Sequence, residues 1–177
     1  SAYHFELDGI YYSYVDGIAS SPYVRVSSKD NSYNSYQGDI VIPESVTYNG
    51  KTYKVTTIDL SAFRNCSNLT SVMIPESVTS IGMSAFNGCS NLTSVHIPSG
   101  VEIINKWTFA NCSSLASITI PSGVTSIYEI AFTGCTSLTT VEVQGSPSWV
   151  DSSAFSGCPI ENVTYDCETV CSIFSDS

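Results

Sequence analysis

Residues 69–91 read LTSVMIPESVTSIGMSAFNGCSN, and the chain then restarts at residue 92 with LTSVHIP. The same 23-residue step relates three further sets of side chains: Leu69, Leu92, Leu115 and Leu138; Phe63, Phe86, Phe109, Phe132 and Phe155; and Cys66, Cys89, Cys112, Cys135 and Cys158. A repeat this strict and this short predicts a solenoid in which every coil stacks on the one before it.

Each coil contains one clear strand signal and one tight turn. The run Leu-x-x-Val-x-Ile alternates as a half-buried strand does, and it should end at the proline that follows it, because proline has no N–H to donate. These prolines are Pro43, Pro75, Pro98 and Pro121. Few residues remain around the Ala-Phe pair of each coil, which predicts a short helical or 3₁₀ turn there. We therefore expect a mostly β, α/β-type arc over residues 39–177, with about five coils and a partial sixth.

Residues 1–38 do not follow the repeat. Asp8-Gly9 lies between two runs rich in apolar and aromatic residues and predicts a two-residue hairpin, while Tyr23 to Val26 reads as a further strand. A solenoid exposes an apolar end unless something covers it. This segment is predicted to be a tyrosine-rich β cap, with an aromatic glycan- or protein-binding surface as the alternative. A second hairpin turn, Asn49-Gly50, interrupts the first coil.

Charge and hydrophobicity exclude several classes of partner. The chain has six basic and 16 acidic residues, a net charge of −10, and no basic residue after position 64 except Lys106. Nucleic acid and anionic membrane surfaces require clustered Lys and Arg, so neither is an expected partner. The longest apolar runs are a few residues, so no membrane-spanning segment is predicted. No signal peptide is visible at the start, as expected of a cytosolic protein or of a mature or trimmed chain.

The five cysteines at the repeat step are predicted to be free. Stacked coils place equivalent residues about 4.8 Å apart with parallel side chains, whereas a disulfide needs Cβ atoms about 3.5–4.5 Å apart and side chains turned toward each other. We expect a column of buried thiols that act as small hydrophobic side chains. Zinc is the alternative, but no CxxC or Cys/His cluster supports it, so no metal or cofactor is predicted. Cys167 and Cys171 lie outside the column and could form a disulfide, or one of them could be an exposed thiol.

The residues that alternate with the buried positions of each strand form the candidate binding surface. Side chains between the apolar positions should point outward and lie above one another from coil to coil. One such column holds Met73, His96, Thr119, Glu142 and Thr164. The flanking column holds Ser71, Ser94, Ser117, Thr140 and Asn162. We expect a ligand to bind these columns, the alternative being a solvated Ser/Thr sheet face.

A catalytic role for His96 is not supported by its expected surroundings. Its neighbours along the column are Met73 and Thr119. Glu142 should lie two strands away, at about 9.6 Å, beyond hydrogen-bond reach. Ser94 lacks an orienting acid, and no catalytic residues are predicted.

The motif LTSVxIPxSVTSIGxxAFxGCSN resembles the BspA-type leucine-rich repeats of surface proteins from anaerobic gut and oral bacteria, and the resemblance covers about Ile40 to Ile173. It implies a leucine-rich-repeat arc with parallel strands on the concave side and no catalytic residues. It also implies a secreted or cell-surface location and adhesion to host or bacterial partners, with fibronectin and fibrinogen among those associated with the family. Free thiols fit an oxygen-poor habitat.

Three functions are compared. The expected one is a non-enzymatic adhesion module that recognises a host or bacterial protein, or a glycan, through the concave face. A structural spacer within a larger surface protein is the first alternative. A glycan-processing β-solenoid enzyme is the second, and it would need clustered carboxylates that the exposed columns lack. The ligand, the anchoring mode and the oligomeric state are not predicted.

Overall fold

A computed structural model describes residues 3–165, and every regular element in that range is a β-strand. The strands are β1 (Phe5–Leu7), β2 (Ile10–Tyr14), β3 (Tyr23–Ser27), β4 (Gly38–Val41), β5 (Ser45–Tyr48), β6 (Lys51–Ile58), β7 (Leu69–Met73), β8 (Ser80–Ile81), β9 (Ile103–Ile104), β10 (Ser117–Ile120), β11 (Ser126–Ile127), β12 (Thr140–Val143), β13 (Trp149–Val150) and β14 (Asn162–Tyr165). The expected α/β character is therefore corrected to all-β.

The N-terminal strands form a mixed sheet in the order β1-β2-β3-β6-β5. Both predicted hairpins are present: Asp8 and Gly9 join β1 to β2, and Asn49 and Gly50 join β5 to β6. All four residues have positive φ, the backbone of the turn that matches strand twist. Strand β6 also pairs with β8 of the solenoid, so the cap and the first coils share one sheet. The domain boundary near residue 38 stays a prediction.

Two rows of short parallel strands build the solenoid, and they pair at the repeat step. In the first row Thr119 pairs with Glu142, 23 positions on, and Glu142 pairs with Thr164, 22 positions on, because the chain between them is one residue shorter. In the second row Ile103 pairs with Ser126 and Ser126 with Trp149. Residues one period apart therefore lie above one another, which confirms the predicted coil stack.

A continuous stack of aromatic rings runs through the core. Phe63, Phe86, Phe109, Phe132 and Phe155 form it, and successive ring centroids are 4.9, 5.4, 5.3 and 4.9 Å apart. The rings are within 13° of parallel. Tyr36 continues the stack into the cap, with its ring centroid 4.5 Å from that of Phe63. Because each ring covers the next, an inner coil loses contacts on both sides when its ring is removed.

The thiol column lies beside the rings, and its members are free, as predicted. The four thiols from Cys89 onward also donate a hydrogen bond to a carbonyl of the preceding coil, whereas Cys66 Sγ lies 3.9 Å from the carbonyl oxygen of Arg64 in its own turn. Cys89 Sγ is 3.1 Å from the carbonyl oxygen of Phe63, and Cys112 Sγ is 3.2 Å from that of Phe86. The thiols therefore link coils as well as filling space. Cys167 and Cys171 fall outside the described residues.

The turn at the Ala-Phe pair is not a helix. Within the first such turn, the amides of Ala62, Arg64 and Cys66 bond to carbonyls three residues back. The amides of Ser61, Phe63 and Asn65 instead bond to carbonyls of the next coil, as in the 2.7 Å bond from Phe63 N to Ala85 O. Every second donor is therefore committed to a neighbouring coil, and a continuous 3₁₀ ladder cannot form. The predicted helical turn is wrong for this reason.

The residue before each cysteine has positive φ in all five coils. Asparagine and glycine, the residues that best tolerate this backbone, hold these positions: Asn65, Gly88, Asn111, Gly134 and Gly157. A Cβ added at Gly88 would lie 2.5 Å from Asn65 Oδ1, and one at Gly134 would meet Asn111 Oδ1 in the same way. The side chain of each of these two asparagines thus fills the space that a side chain at the same position of the next coil would occupy, and the next coil carries glycine there.

Candidate ligand-binding face

The exposed side of the first strand row carries the predicted binding residues. We call this surface, expected to be the concave side of the arc, the strand face: the outward side chains of β4, β7, β10, β12 and β14 and of residues 92–98. Alternation along the strands buries Val72 and Ile74 and leaves Met73 64% exposed between them. His96, Thr119, Glu142 and Thr164 are exposed in the same column. In the flanking column Ser94, Ser117 and Asn162 are exposed, and Ser71 and Thr140 are half-buried.

Both columns also extend one coil further toward the N-terminus than predicted. Val41 pairs with Met73, and Asp39 pairs with Ser71, so these two residues begin the columns. Val41 is 62% exposed. The sequence carries the signal for them, because Ile42-Pro43 aligns with Ile74-Pro75 and fixes the register of the first coil.

The strand ladder of this face is interrupted at the third coil. Strand β7 pairs with β4, and β10 belongs to a separate sheet with β12 and β14. Between them, residues 92–98 form no strand and contribute one isolated bridge, between Val72 and Val95. A depression of about 450 Å³ lies at this interruption. Its lining includes five of the predicted binding residues, namely Ser71, Met73, Ser94, His96 and Thr119, together with Val72, Ile74 and Val95.

The imidazole of His96 is held at the rim by a carboxylate that the sequence analysis missed. His96 Nε2 lies 2.7 Å from Oε1 of Glu76. Oε2 of Glu76 accepts two bonds of 3.0 Å from Ser99, one from the amide and one from the hydroxyl. The amide of Ser99, together with His96, lowers the pKa of Glu76. The hydroxyl is therefore bonded to the carboxylate and not to the imidazole, so the trio is a positioning cluster without an activated nucleophile.

Acidic groups dominate the charge of the strand face. Asp39 accepts bonds of 2.7 Å from the hydroxyls of Thr70 and Ser71, which lower its pKa. Glu142 Oε2 lies 3.5 Å from the hydroxyl of Thr119. Among the described residues, neither column contains Lys or Arg.

Most cations of the chain make contacts elsewhere. Arg25 lies 3.6 Å from Asp59, and Lys106 lies 3.5 Å from Glu129. The guanidinium of Arg64 stacks over a tyrosine ring. Lys51 donates to two cap carbonyls. None of these four charges neutralises a carboxylate of the strand face.

Two general features of the described chain bear on its chemistry. Within residues 3–165, no three His, Cys, Asp or Glu side chains are grouped closely enough to bind a metal ion. Over the same residues, the structure contains no helix of the length and hydrophobicity needed to cross a membrane.

Solved bacterial structures resemble this chain over most of its length. A leucine-rich cell surface protein from Faecalibacterium prausnitzii is 28% identical, with a TM-score of 0.74, and the match covers 96% of this chain and 40% of that one. A leucine-rich repeat protein from Bacteroides capillosus is 31% identical, with a TM-score of 0.64, over 80% of this chain and 98% of the other. A leucine-rich repeat protein from Bacteroides ovatus, 23% identical with a TM-score of 0.60 over 92% of this chain and 53% of its own, shows the fold alone. A search of curated proteins finds no match.

The family comparison covers more than half of the chain. The profile of the BspA-type leucine-rich repeat region matches residues 56–176 in six copies. Together with the Bacteroides capillosus relative, this match shows that the chain belongs to the family of BspA-type leucine-rich repeat proteins.

Proposed function

We propose that this chain is a non-enzymatic binding module of a bacterial surface protein and that its ligand docks on the strand face. The relative from Faecalibacterium prausnitzii is a cell surface protein, and this chain spans 40% of its length. The observation that carries the proposal is the depression of about 450 Å³ at the interruption of the ladder. Its volume falls in the range of ligand pockets in general.

The composition of the strand face supports recognition of a specific ligand. The buried columns repeat one residue type in coil after coil, whereas the exposed column changes from Met73 to His96, Thr119 and Glu142. The coils that carry these side chains are stacked in order, with their core rings 4.9–5.4 Å apart. An apolar group, an imidazole, a hydroxyl and a carboxylate are thus presented in fixed order, and a fixed order of unlike groups can discriminate among ligands.

The strand columns lack the paired carboxylates that the glycan-processing alternative requires. Paired carboxylates of glycosidases lie about 5–10 Å apart. The two carboxylates of the strand columns, Asp39 and Glu142, belong to the first and fifth coils. Four strand steps separate them by roughly 19 Å. The Glu76–His96 pair has no nucleophile bonded to its imidazole.

A binding screen with a matched control tests the proposal. The chain is immobilised and exposed to fibronectin, fibrinogen, bacterial surface extracts and a glycan array. Binding is then repeated with Met73→Ser plus His96→Ala, and with Glu102→Gln, an exposed residue outside the strand columns. We expect the double variant to weaken binding by about tenfold or more, as loss of central contacts does, and the control to leave it unchanged.

Three results would contradict the proposal. Binding that survives the double variant would move the site away from the strand face. The absence of any ligand across the screen would favour the spacer, and turnover of a glycan would favour the enzyme.

A further inference from the structure

The strand face combines uncompensated negative charge with no positive charge of its own. Glu142 is exposed, and its carboxylate lies near a single hydroxyl, that of Thr119 at 3.5 Å. Asp39 is exposed at the other end of the columns. With no Lys or Arg in either described column, a cationic partner would meet a complementary surface, and charge complementarity of this kind selects partners and speeds association.

The N-terminal end of the same face is apolar. Val41 and Met73 lie side by side in paired strands and are 62% and 64% exposed. Neither described column contains Phe, Tyr or Trp. Sugar rings pack best on the flat faces of aromatic side chains, whereas flexible methionine and branched aliphatic groups suit the aliphatic side chains of a polypeptide. The face therefore favours a polypeptide over a glycan.

The distance between these two features sets a spacing for the ligand. Met73, His96, Thr119 and Glu142 occupy successive coils, and the core rings of these coils lie 4.9, 5.4 and 5.3 Å apart. Three coil steps of about 5 Å each therefore place the carboxylate about 15–16 Å from the apolar end. An extended chain advances about 3.3 Å per residue and points alternate side chains to the same side. Four residues span about 13 Å of this distance, the long side chain of a Lys or Arg covers the rest, and residues i and i+4 of an extended segment face the same way.

We propose that the strand face binds an extended polypeptide segment that places an aliphatic side chain on Val41 and Met73 and, four residues away, a Lys or Arg against Glu142. The segment runs along the solenoid axis and crosses the depression beside His96. This inference rests on the proposed function, since it assigns the partner class of the same surface.

Short synthetic peptides test the spacing and the charge separately. The probe is Ac-Ser-Leu-Ser-Thr-Ser-Arg-Ser-NH2, in which Leu and Arg are four residues apart. Three variants move Arg one position toward Leu, replace Arg by Glu, or replace Leu by Ser. Each is titrated to about 5 mM, where millimolar affinities are measurable, into the 15N-labelled chain at about 50 mM salt, where screening is weak. Amide shifts of Met73, His96 and Glu142 report binding at the face.

We expect the probe to shift these amides and each variant to bind at least about twofold more weakly, since an exposed ion pair contributes modestly. Glu142→Gln should weaken binding of the probe by about two- to fivefold, and the variant should no longer prefer the Arg peptide over the Glu peptide. Glu102→Gln, outside the columns, should change nothing. Higher salt should weaken binding of the probe, but it should not weaken binding of the peptide in which Glu replaces Arg.

Other outcomes overturn the inference and bear differently on the proposed function. If the Glu peptide, or cellotriose or maltotriose, shifts the strand-face amides more than the probe does, the partner class is wrong while the binding face stands. If no peptide shifts the strand-face amides at concentrations up to about 5 mM, where millimolar affinities are measurable, the inference also fails. The screen with Met73→Ser plus His96→Ala then decides independently whether the face binds anything.

Discussion

The alternation of asparagine and glycine before the cysteines can be tested by exchanging one for the other. Gly88 and Asn65 hold equivalent positions in adjacent coils, and both have positive φ, at 83° and 57°. Because asparagine tolerates this backbone, Gly88→Asn introduces little backbone strain. Its Cβ, however, would lie 2.5 Å from Asn65 Oδ1. The substitution therefore tests the packing of this position against the coil before it, at Asn65, and the coil after it, at Asn111.

The expected change in the free energy of unfolding follows from how far the Asn65 side chain must move. Asn65 Oδ1 has to withdraw by about 1 Å to reach ordinary contact distance, which takes its side chain out of a preferred rotamer at about 0.5–1.5 kcal/mol. The side-chain amide introduced at position 88 must also fit into space that neighbouring side chains already fill. We expect Gly88→Asn to reduce the free energy of unfolding by about 1–2 kcal/mol. In the Asn65→Gly background the same substitution should cost less, which gives a coupling of about 1 kcal/mol, and the remaining cost comes from Asn111, which holds the equivalent position of the following coil.

Urea unfolding, followed by circular dichroism and by tryptophan fluorescence, measures these values, and coincidence of the two transitions checks that the array unfolds as a unit. Gly157→Asn is a second control, because Gly157 has φ +77° but its nearest neighbour is the Gly134 amide at 3.9 Å. Because terminal coils can open locally, hydrogen exchange of the amides near residue 157 should be measured together with the unfolding of Gly157→Asn. Equal costs for Gly88→Asn in the wild-type and Asn65→Gly backgrounds would refute the reasoning.

Three further predictions concern the ring stack, the thiols and the rim carboxylate. Phe86→Ala should lower the free energy of unfolding by about 3–5 kcal/mol, as removal of a buried ring does. Phe155→Ala should lower it by less, because the Phe155 side chain is 8% exposed whereas that of Phe86 is fully buried, and urea unfolding of both variants checks this. Burial raises the pKa of Cys112 to about 12. Iodoacetamide at about pH 8 should therefore label it only after unfolding, and mass spectrometry would show rapid native labelling if this is wrong. The pKa of Glu76 is lowered by the Ser99 amide, so its carboxylate stabilises the fold above the ordinary value of 4.5 and loses that contribution as pH falls through the folded value. The Ser99 amide shift should titrate with a midpoint below 4.5, and it should not titrate in Glu76→Gln.

The register of the coils and the identity of the exposed columns could be predicted because they depend on identical spacing alone. Once Phe86 and Phe109 are taken to be stacked, Thr119 and Glu142 must pair, and their alternation with buried valines decides that they point outward. The hairpin at Asp8-Gly9 was equally accessible, because few other dipeptides accept two successive positive φ values. Each of these features needs only local sequence and one repeat step.

Features that depend on differences between coils were not accessible in the same way. The interruption at residues 92–98 occurs although LTSVHIP matches LTSVMIP at six of seven positions, so no local signal marks it. Glu76 and His96 are 20 residues apart, which is not a repeat step, and their contact joins a turn to a strand column. The backbone at Trp107 and Ile130, with φ of 63° and 60°, is one that bulky and β-branched residues disfavour. The coil stack imposes it there.

The two kinds of column in this solenoid differ in how freely they can change. A buried residue such as Phe109 contacts the same residue type in the coils on both sides, so a change in one coil leaves a void or a clash unless its neighbours change too. An exposed residue such as His96 contacts solvent and, at its tip, one side chain of a turn. A substitution there leaves the stack intact. The strand face can therefore acquire a new order of apolar, basic and acidic groups one coil at a time, and its specificity is expected to be separable from the stability of the fold.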